Sequence, residues 1–371
     1  MKTERLRLTI ALLLCLSSVD LSFSDPNPLS AENRGPYFYH GYEYGSEFAY
    51  NPISLMLIGG YSIFQVGSQS KRPEDVAYRT GWSNVWMNIA HPLREIRAFG
   101  WRKFLSTEIF PSSLKPENAQ YVPNYQDHIV GSGMQYRALC EWYHSRRFPA
   151  KRLFAFGTMA VYHMMNEIVE NGNYRGTNVD PIADMLVFNP LGMLLFESDR
   201  VSRFFSEKLN LRDWSTLPAY DFSRRTIENN SDNFSVKWRI PGHRKWSMFY
   251  NFGLNGILGL SYTKPDGSCF SWGAGVMAKE RRKVEPEKDN HYLTVDLTWN
   301  AGLFYDRNGS LMASLLFSGS PSFKAKLNVF PGVIRAGGIS PGFFMAVGKE
   351  NEFIFGAFIV PLPLGLAFQN P

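Results

Sequence analysis

The most regular pattern in this sequence is a period of two in its C-terminal third. From Trp246 to Tyr262, large apolar side chains occupy alternate positions, and the positions between them are mostly small or polar. The same alternation recurs from Leu293 to Tyr305. Because successive side chains of a strand point to opposite faces, each stretch predicts a strand with one apolar face and one small, polar face.

Segments with this period continue to the end of the chain and are separated by turn residues. The predicted strands are 234–240, 246–262, 269–279, 291–305, 311–318, 323–330, 342–348 and 352–360. The turn signals between them are Pro265-Asp266-Gly267, Asp306-Arg307-Asn308-Gly309 and Lys349-Glu350-Asn351. About eight antiparallel strands make the smallest usual closed barrel of an outer membrane, so we expect an antiparallel β-barrel over 233–371. A periplasmic sandwich, whose strands also alternate, is the alternative.

The middle of the chain, 126–225, predicts a helical unit of about three helices. Proline and N-cap residues mark their starts, and the helices run from Asp127 to about Arg146, from Pro149 to about Glu170, and from Asp180-Pro181 past a kink at Pro190. The expected fold class is therefore α+β, with this helical unit followed by an antiparallel, barrel-like sheet.

Residues 1–24 have the three parts of a secretory signal peptide. Basic residues near Met1 are followed by the apolar run Leu8–Leu16 and by a small-x-small site at Ser22-Phe23-Ser24. The apolar run is too short to span a bilayer. We therefore expect export through the inner membrane of a bacterium.

Residues 25–125 form a mixed, aromatic-rich region. Leu55–Val66 is a short apolar run that fits either strands or a buried helix, because such runs do not discriminate. Ser83–Phe110 is rich in Trp and Arg and predicts helices on either side of Pro92, of the kind that lie at a membrane surface or pack on a neighbouring domain.

Composition narrows the class of partner. Aromatic residues make up 15% of the chain and charged residues 19%, an aromatic-rich balance for a soluble protein. The net charge of +6 is scattered and forms no stripe of the kind that binds nucleic acid, so we expect membrane lipid as the partner. Together with export, this favours the bacterial outer membrane, with the periplasm as the alternative. Protein partners and cofactors are not predicted.

The polar residues of the helical unit are the candidates for chemistry. His163 and Glu167 share a helical face because residues four apart are neighbours, and His128 and Asp184 are the polar candidates on the flanking helices. A histidine with carboxylates can supply a general base or metal ligands, although the His-Glu-x-x-His zinc pattern is absent and the metal is not predicted. The supporting candidates are Arg137, Glu141, Asp180 and Asn189. In a purely structural interpretation, Glu167 pairs with Arg137 or Arg175, and Asp180 is an N-cap.

A set of short motifs in the helical unit adds a resemblance. The motifs are His128-x-x-Gly131, Tyr136-Arg137-Ala138, Glu141, Asn166-Glu167, Asp180-Pro181-x-Ala183-Asp184, Pro190-x-Gly192 and Glu197-x-x-Arg200. Over about 75 residues the chain resembles a family of exported Gram-negative proteins, domain of unknown function 3943, and is more faintly similar to VanZ-like helical membrane proteins. The resemblance implies a compact helical unit with a histidine and acidic residues, beside a β-rich remainder.

Two functional hypotheses follow. The first is an outer-membrane β-barrel with a docked helical unit that serves envelope structure or lipid handling. The second is a hydrolase or lipid-modifying enzyme that uses the His/Glu/Asp cluster. A narrow pore is disfavoured because side chains normally fill the lumen of an eight-stranded barrel.

Overall fold

A computed structural model describes residues 35–66, 70–110, 122–172, 178–287, 290–335, 339–348 and 352–370 of this chain. At 122–123, 280–287 and 290–295 it describes the backbone alone. The predicted signal peptide 1–24, the Lys349-Glu350-Asn351 turn and Arg175 lie outside the described residues.

The fold is α+β, as the sequence predicts, with helices throughout the first half of the chain. The α-helices are α1 (Gly45–Phe48), α2 (Pro52–Gly60), α3 (Tyr78–Ala90), α4 (Pro92–Phe99), α5 (Trp101–Phe104), α6 (Ser132–Ser145), α7 (Lys151–Glu170), α8 (Asp180–Ala183), α9 (Asn189–Glu197) and α10 (Asp199–Arg203). Wider π-helical turns occur at Leu105–Ile109, Val122–Gly131, Asp184–Phe188 and Phe204–Lys208, and short 3₁₀ turns at Ser62–Gln65 and Pro73–Asp75.

The prediction of about three helices was too low. Helix also covers much of the N-terminal region, including α2 in the run Leu55–Val66 and the helices on both sides of Pro92. Asp127 is not an N-cap, because the helical stretch begins before it at Val122. In place of the kink expected at Pro190, the five residues before Asn189 form a π-helical turn. Pro190 lies in the first turn of α9, where a backbone N–H would have no partner within the helix, so proline is tolerated there.

The strands form one mixed sheet of 13 strands in the described part of the chain. They are β1 (Arg212–Asp213), β2 (Ala219–Asp221), β3 (Thr226–Glu228), β4 (Asn233–Arg239), β5 (Trp246–Gly253), β6 (Asn255–Thr263), β7 (Ser268–Glu287), β8 (Asn290–Arg307), β9 (Ser310–Ser318), β10 (Ala325–Val329), β11 (Pro341–Val347), β12 (Phe353–Ile359) and β13 (Gly365–Gln369). Their order is β1-β4-β5-β6-β7-β8-β9-β10-β11-β12-β13-β2-β3.

This strand order differs from the predicted closed barrel of eight antiparallel strands. The strands at its two ends, β1 and β3, do not pair with each other, and β13 pairs with β2 in parallel. The sequence analysis missed β1, β2, β3 and β13. These strands are two to five residues long, too short for a period of two to be recognised.

The predicted strand 246–262 is in fact a hairpin of β5 and β6. Gly253 has φ +123°, and a Cβ there would lie 2.2 Å from the carbonyl oxygen of Asp232, so the chain reverses where only glycine fits. The alternation runs through this turn without a break. Tyr250 pairs with Leu258 and Met248 with Leu260, so even-numbered residues stay on one face in both strands.

The concave face of the sheet encloses a core to which strands far apart in the order contribute. Trp214, Phe249, Met277, Phe344 and Ala367 belong to one buried cluster. On the opposite face, Phe234 of β4 and Phe252 of β5 pack against Met134, Ala138 and Phe196 of the helical unit. The helical unit is therefore docked on the outer side of the sheet, where β4 and β5 meet, whereas Ala49, directly after α1, belongs to the core on the concave face.

Within the part of the chain that the structure describes, no helix is both long and apolar enough to cross a bilayer.

Candidate functional site

Close packing of two helical stretches places the candidate residues of the helical unit side by side. A Cβ at Gly192 of α9 would lie 2.6 Å from the carbonyl oxygen of Ile129 and 2.8 Å from that of His128. Only glycine permits this approach. It brings the π-helical turn that carries His128 against the start of α9, where Asn189 lies.

His128 makes contacts through both ring nitrogens. Its Nδ1 lies 2.9 Å from Oδ1 of Asn189, and its Nε2 lies 3.3 Å from Oδ2 of Asp184. An amide oxygen only accepts hydrogen bonds, so Nδ1 carries the proton and Nε2 presents its lone pair to the Asp184 carboxyl. His128, Asp184 and Asn189, which the sequence analysis singled out from two different helices, therefore form one group.

His163 and Glu167 of α7 complete the group from a second side. The rings of His163 and His128 are 5.9 Å apart, and His163 also stacks on Tyr162 at 4.5 Å. Both His163 and Glu167 are buried, and Glu167 accepts a 3.2 Å hydrogen bond from Nδ2 of Asn171. The prediction that helical spacing places His163 and Glu167 on one face agrees with this burial.

Burial keeps the two histidines neutral. It lowers the pKa of His128 to about 4, against the opposing effect of the hydrogen bond to Asn189. It also lowers the pKa of His163 well below the usual value, and the neighbouring His128 adds to this effect. At pH 7 each imidazole can thus accept a proton but holds no charge.

The carboxyl groups shift in the opposite direction for the same reason. Burial, followed by the nearby charges of Asp180 and Glu167, raises the pKa of Asp184 well above its usual value. Burial and the charge of Asp180 raise the pKa of Glu108 to about 8. The pKa shifts of Asp184 and His128 both favour the uncharged forms, in which the Asp184 carboxyl donates to Nε2 of His128.

Glu108 is a member of this group that the sequence analysis missed. It lies in the π-helical turn Leu105–Ile109, is buried, and is the single acidic residue between Glu95 and Glu117. This isolation is the only sequence signal for Glu108, because its spacing to the other candidate residues shows no helical periodicity.

Several buried polar atoms of the group lack a hydrogen-bond partner among the described residues. They are Nε2 of His163, Oδ1 of Asp184, Nδ2 of Asn189 and Oε2 of Glu108. Unpaired buried groups are costly, which makes them candidates for contact with a polar molecule. In the described part of the chain, no three His, Cys, Asp or Glu residues are arranged to hold a metal ion.

Access to this group is limited. Two small cavities of ≈ 20 Å³ each lie elsewhere, one between the N-terminal segment and α6, the other on the concave face of the sheet. Neither is lined by the candidate residues. The side chains of His128 and Asp184 are only 15% and 6% exposed, and His163 and Glu167 are buried as well, so the group is assembled but enclosed.

The supporting candidates Arg137 and Glu141 belong to a different structure. Arg137 pairs with Glu141 at 3.2 Å and with Asp199 at 2.8 Å, rather than with Glu167. Glu141 also accepts hydrogen bonds from the backbone N–H groups of Tyr37, Phe38 and Tyr39. These two residues therefore fasten the N-terminal segment to α6. Asp180, in contrast, acts on Asp184 and Glu108 by its charge, and its backbone N–H donates to Asn178.

A second buried polar network joins the helical unit to the sheet, and the sequence analysis did not foresee it. Gln135 of α6 donates from Nε2 to Asp213 at 3.2 Å and to Asp232 at 3.0 Å. Tyr162 of α7 donates to Asp232 at 2.6 Å, and so does Ser215 at 2.9 Å. Tyr162 and His163 are consecutive, so this network fixes the position of the histidine group relative to the sheet.

Comparisons of this chain with protein-family models, curated proteins and solved structures gave no match. The resemblance to domain of unknown function 3943 and to VanZ-like proteins therefore stays a prediction, and the functional argument rests on the geometry.

Proposed function

We propose that this chain is an outer-membrane-associated envelope protein whose curved sheet turns its apolar outer face to lipid. The helical unit docks on that sheet at the membrane surface. The periplasm, with a protein partner in place of lipid, is the alternative location.

The observation that carries this proposal is the exposure of large apolar side chains at alternate positions of the strands. In β6, Leu258 is 64% exposed while Ile257 and Ser261 are 0% exposed. In β8, Leu297 and Trp299 are each 58% exposed, while Asn300 is 2% exposed. The outward-facing set includes Trp238, Met248, Leu260, Phe270, Trp272, Val276, Leu303, Phe317, Phe353, Phe355, Ile359, Leu366 and Phe368. An apolar face of this extent is a liability in water and is expected in contact with lipid.

The inward face supports the same proposal. Its buried polar residues include Asn251, Asn255, Ser261, Asn300 and Asn328, and aromatic side chains fill the space between them. An apolar outer face around an interior filled by both apolar and polar side chains differs from a soluble sheet, whose outer face is polar, and is typical of a small membrane barrel. We therefore propose an anchoring role rather than a pore.

The pairing of the first strands supports closure of the sheet. Arg212 pairs with Ser235, Thr216 with Ser231, and Ala219 with Glu228, all in one continuous register. Residues 212–221 and 226–239 therefore form one long hairpin, which contacts β5 through β4 and β13 through β2. We propose that the two ends of the sheet meet in this hairpin.

The surface of the helical unit supports its placement at the headgroups. Trp82 and Trp86 of α3 stack at 6.1 Å and are 49% and 56% exposed. Exposed arginines, Arg94, Arg97 and Arg102, lie on the following helices. Tryptophan beside basic residues is the composition that binds anionic lipid surfaces.

Fractionation of cells that produce the full chain tests the proposal. We expect the protein in the outer-membrane fraction, retained after a urea wash, with gel migration that changes on heating because the sheet resists detergent when cold. Recovery of the protein in the soluble periplasmic extract would contradict the proposal.

A hydrolase or lipid-modifying enzyme is the second candidate, favoured by the convergence of His128, His163 and Asp184 with unpartnered atoms. Nε2 of His163, which has no hydrogen-bond partner among the described residues, would accept a proton from an attacking water, and the neighbouring pair of His128 and Asp184 would hold the His163 ring in place. Under this hypothesis His163→Gln lowers hydrolysis of a short-chain chromogenic ester at least about 100-fold, because it removes the general base, and leaves the melting temperature unchanged.

The matched control for that assay is Glu207→Gln, which changes an exposed glutamate of the same unit. Equal activity of the two variants, or no ester hydrolysis by the unmodified chain, would reject the enzyme.

A further inference from the structure

The concave face of the sheet contains a small cavity lined by side chains from distant strands. Its volume is ≈ 20 Å³, which exceeds the minimum for one water molecule and leaves room for a single small ion. The polar residues around it are Gln65, Thr216, Ser231, Asn233, Asn255 and Lys326. Lys326 lies on β10 and faces inward, between Leu316 of β9 and Ala346 of β11.

Three acceptor oxygens in the cavity wall accept hydrogen bonds from asparagine side chains. Oδ1 of Asn233 accepts from Asn255, Oδ1 of Asn255 accepts from Asn300, and Oγ of Ser231 accepts from Asn233. Each of these three acceptors therefore already receives one hydrogen bond.

Two buried donors in the wall have no such partner among the described residues. Nε2 of Gln65 makes no hydrogen bond, and Gln65 is 9% exposed. Lys326 is 6% exposed, and its Nζ lies over the Phe323 ring at 4.5 Å without a carboxylate bonded to it in the described part of the chain. Lys71 and Glu228, whose charges act on Lys326, pair with each other at 2.6 Å.

A second buried lysine on the same face provides a comparison for Lys326. Lys237 of β4 is equally buried, and its Nζ bonds the carboxylate of Asp306. A buried ammonium normally has such an anion, since an unpaired charge is costly to desolvate. In this cavity Lys326 supplies a positive charge, Gln65 supplies an amide donor, and the volume accommodates one small occupant.

We propose that this cavity binds a small monovalent anion of the size of chloride, held by Nζ of Lys326 and Nε2 of Gln65. The inference depends on the interior of the sheet alone, so it stands whether the outer face contacts lipid or a protein.

Thermal unfolding of the full chain in sodium chloride and in sodium gluconate at equal ionic strength tests the site. Gluconate is too large for the cavity. We expect chloride to raise the unfolding midpoint saturably, because a ligand that binds only the folded state stabilises it. Lys326→Met should abolish this rise, and Gln65→Leu should weaken the apparent chloride affinity about 5- to 10-fold, the effect of one lost hydrogen bond. Lys245→Met, which removes an exposed lysine, is the matched control and should keep the full chloride response.

A chloride response that is the same in all four proteins, or absent from the unmodified chain, would overturn the proposal and leave a water molecule in the cavity. If Lys326→Met does not fold, Gln65→Leu and a crystal soaked in sodium bromide decide between a bound anion and a water molecule. An anomalous bromide peak within hydrogen-bonding distance of Lys326 Nζ supports the site, and a water there contradicts it.

Discussion

Leu258→Arg is expected to lower the free energy of unfolding of the vesicle-inserted protein by about 2–4 kcal/mol, the cost of arginine near the middle of a lipid-facing strand. Leu258 lies near the centre of β6, between Tyr250 of β5 and Ala274 of β7, and is 64% exposed. In a soluble protein, a substitution at such an exposed position changes stability by only about 0.5 kcal/mol. Urea unfolding from phospholipid vesicles measures the difference.

Leu362→Arg is the control for this measurement. Leu362 is 44% exposed but lies in the connection between β12 and β13, outside the strands. We expect its replacement to change stability by about 0.5 kcal/mol or less. Similar small effects of both substitutions would mean that water, not lipid, surrounds β6.

Lys237→Met is expected to destabilise the folded chain by about 3–5 kcal/mol, the cost of leaving one partner of a buried ion pair without its counter-charge. Lys237 and Asp306 are 5% and 1% exposed. The Lys237 ammonium also lies 4.9 Å from the centre of the Trp214 ring. Equilibrium unfolding in urea gives the change.

The double variant Lys237→Met/Asp306→Leu separates the unpaired charge from lost packing. Without a charge on either side we expect most of the stability to return, less about 1 kcal/mol for the hydrogen bond that Oδ1 of Asp306 accepts from Gly309. A single variant as stable as the unmodified chain would show that Asp306 reaches water or another cation.

The sequence predicted the positions of β7, β8 and β9 but ended β7 at residue 279, eight residues before Glu287, and it missed the short strands. In β7, β8 and β9 the period of two extends over nine or more residues, and turns rich in Gly, Asn and Asp separate the strands. In the β5–β6 hairpin the period continued in phase through Gly253, so nothing in the pattern marked the reversal. The parallel contact of β13 with β2 joins residues nearly 150 positions apart, and no local signal encodes such a contact.

The sequence predicted most residues of the candidate site but not the helix packing that brings them together and buries them. Helical spacing linked His163 with Glu167 within one helix. The approach of His128 to Asn189 depends on the contact between Gly192 and the Ile129 carbonyl, which is a matter of helix packing. Glu108 and the Gln135–Asp232 network join segments distant in sequence, and their partners appear only once the helices are packed.

The central claim is that lipid surrounds the outward side chains of the strands. Its most direct test is a nitroxide label at position 258 in a background without Cys140 and Cys269, both buried and free. In vesicles of reconstituted protein, collisions of the label with oxygen should exceed those with a water-soluble nickel complex. At position 362 the order should reverse. A label at 258 that meets the nickel complex as freely as the label at 362 would contradict the account.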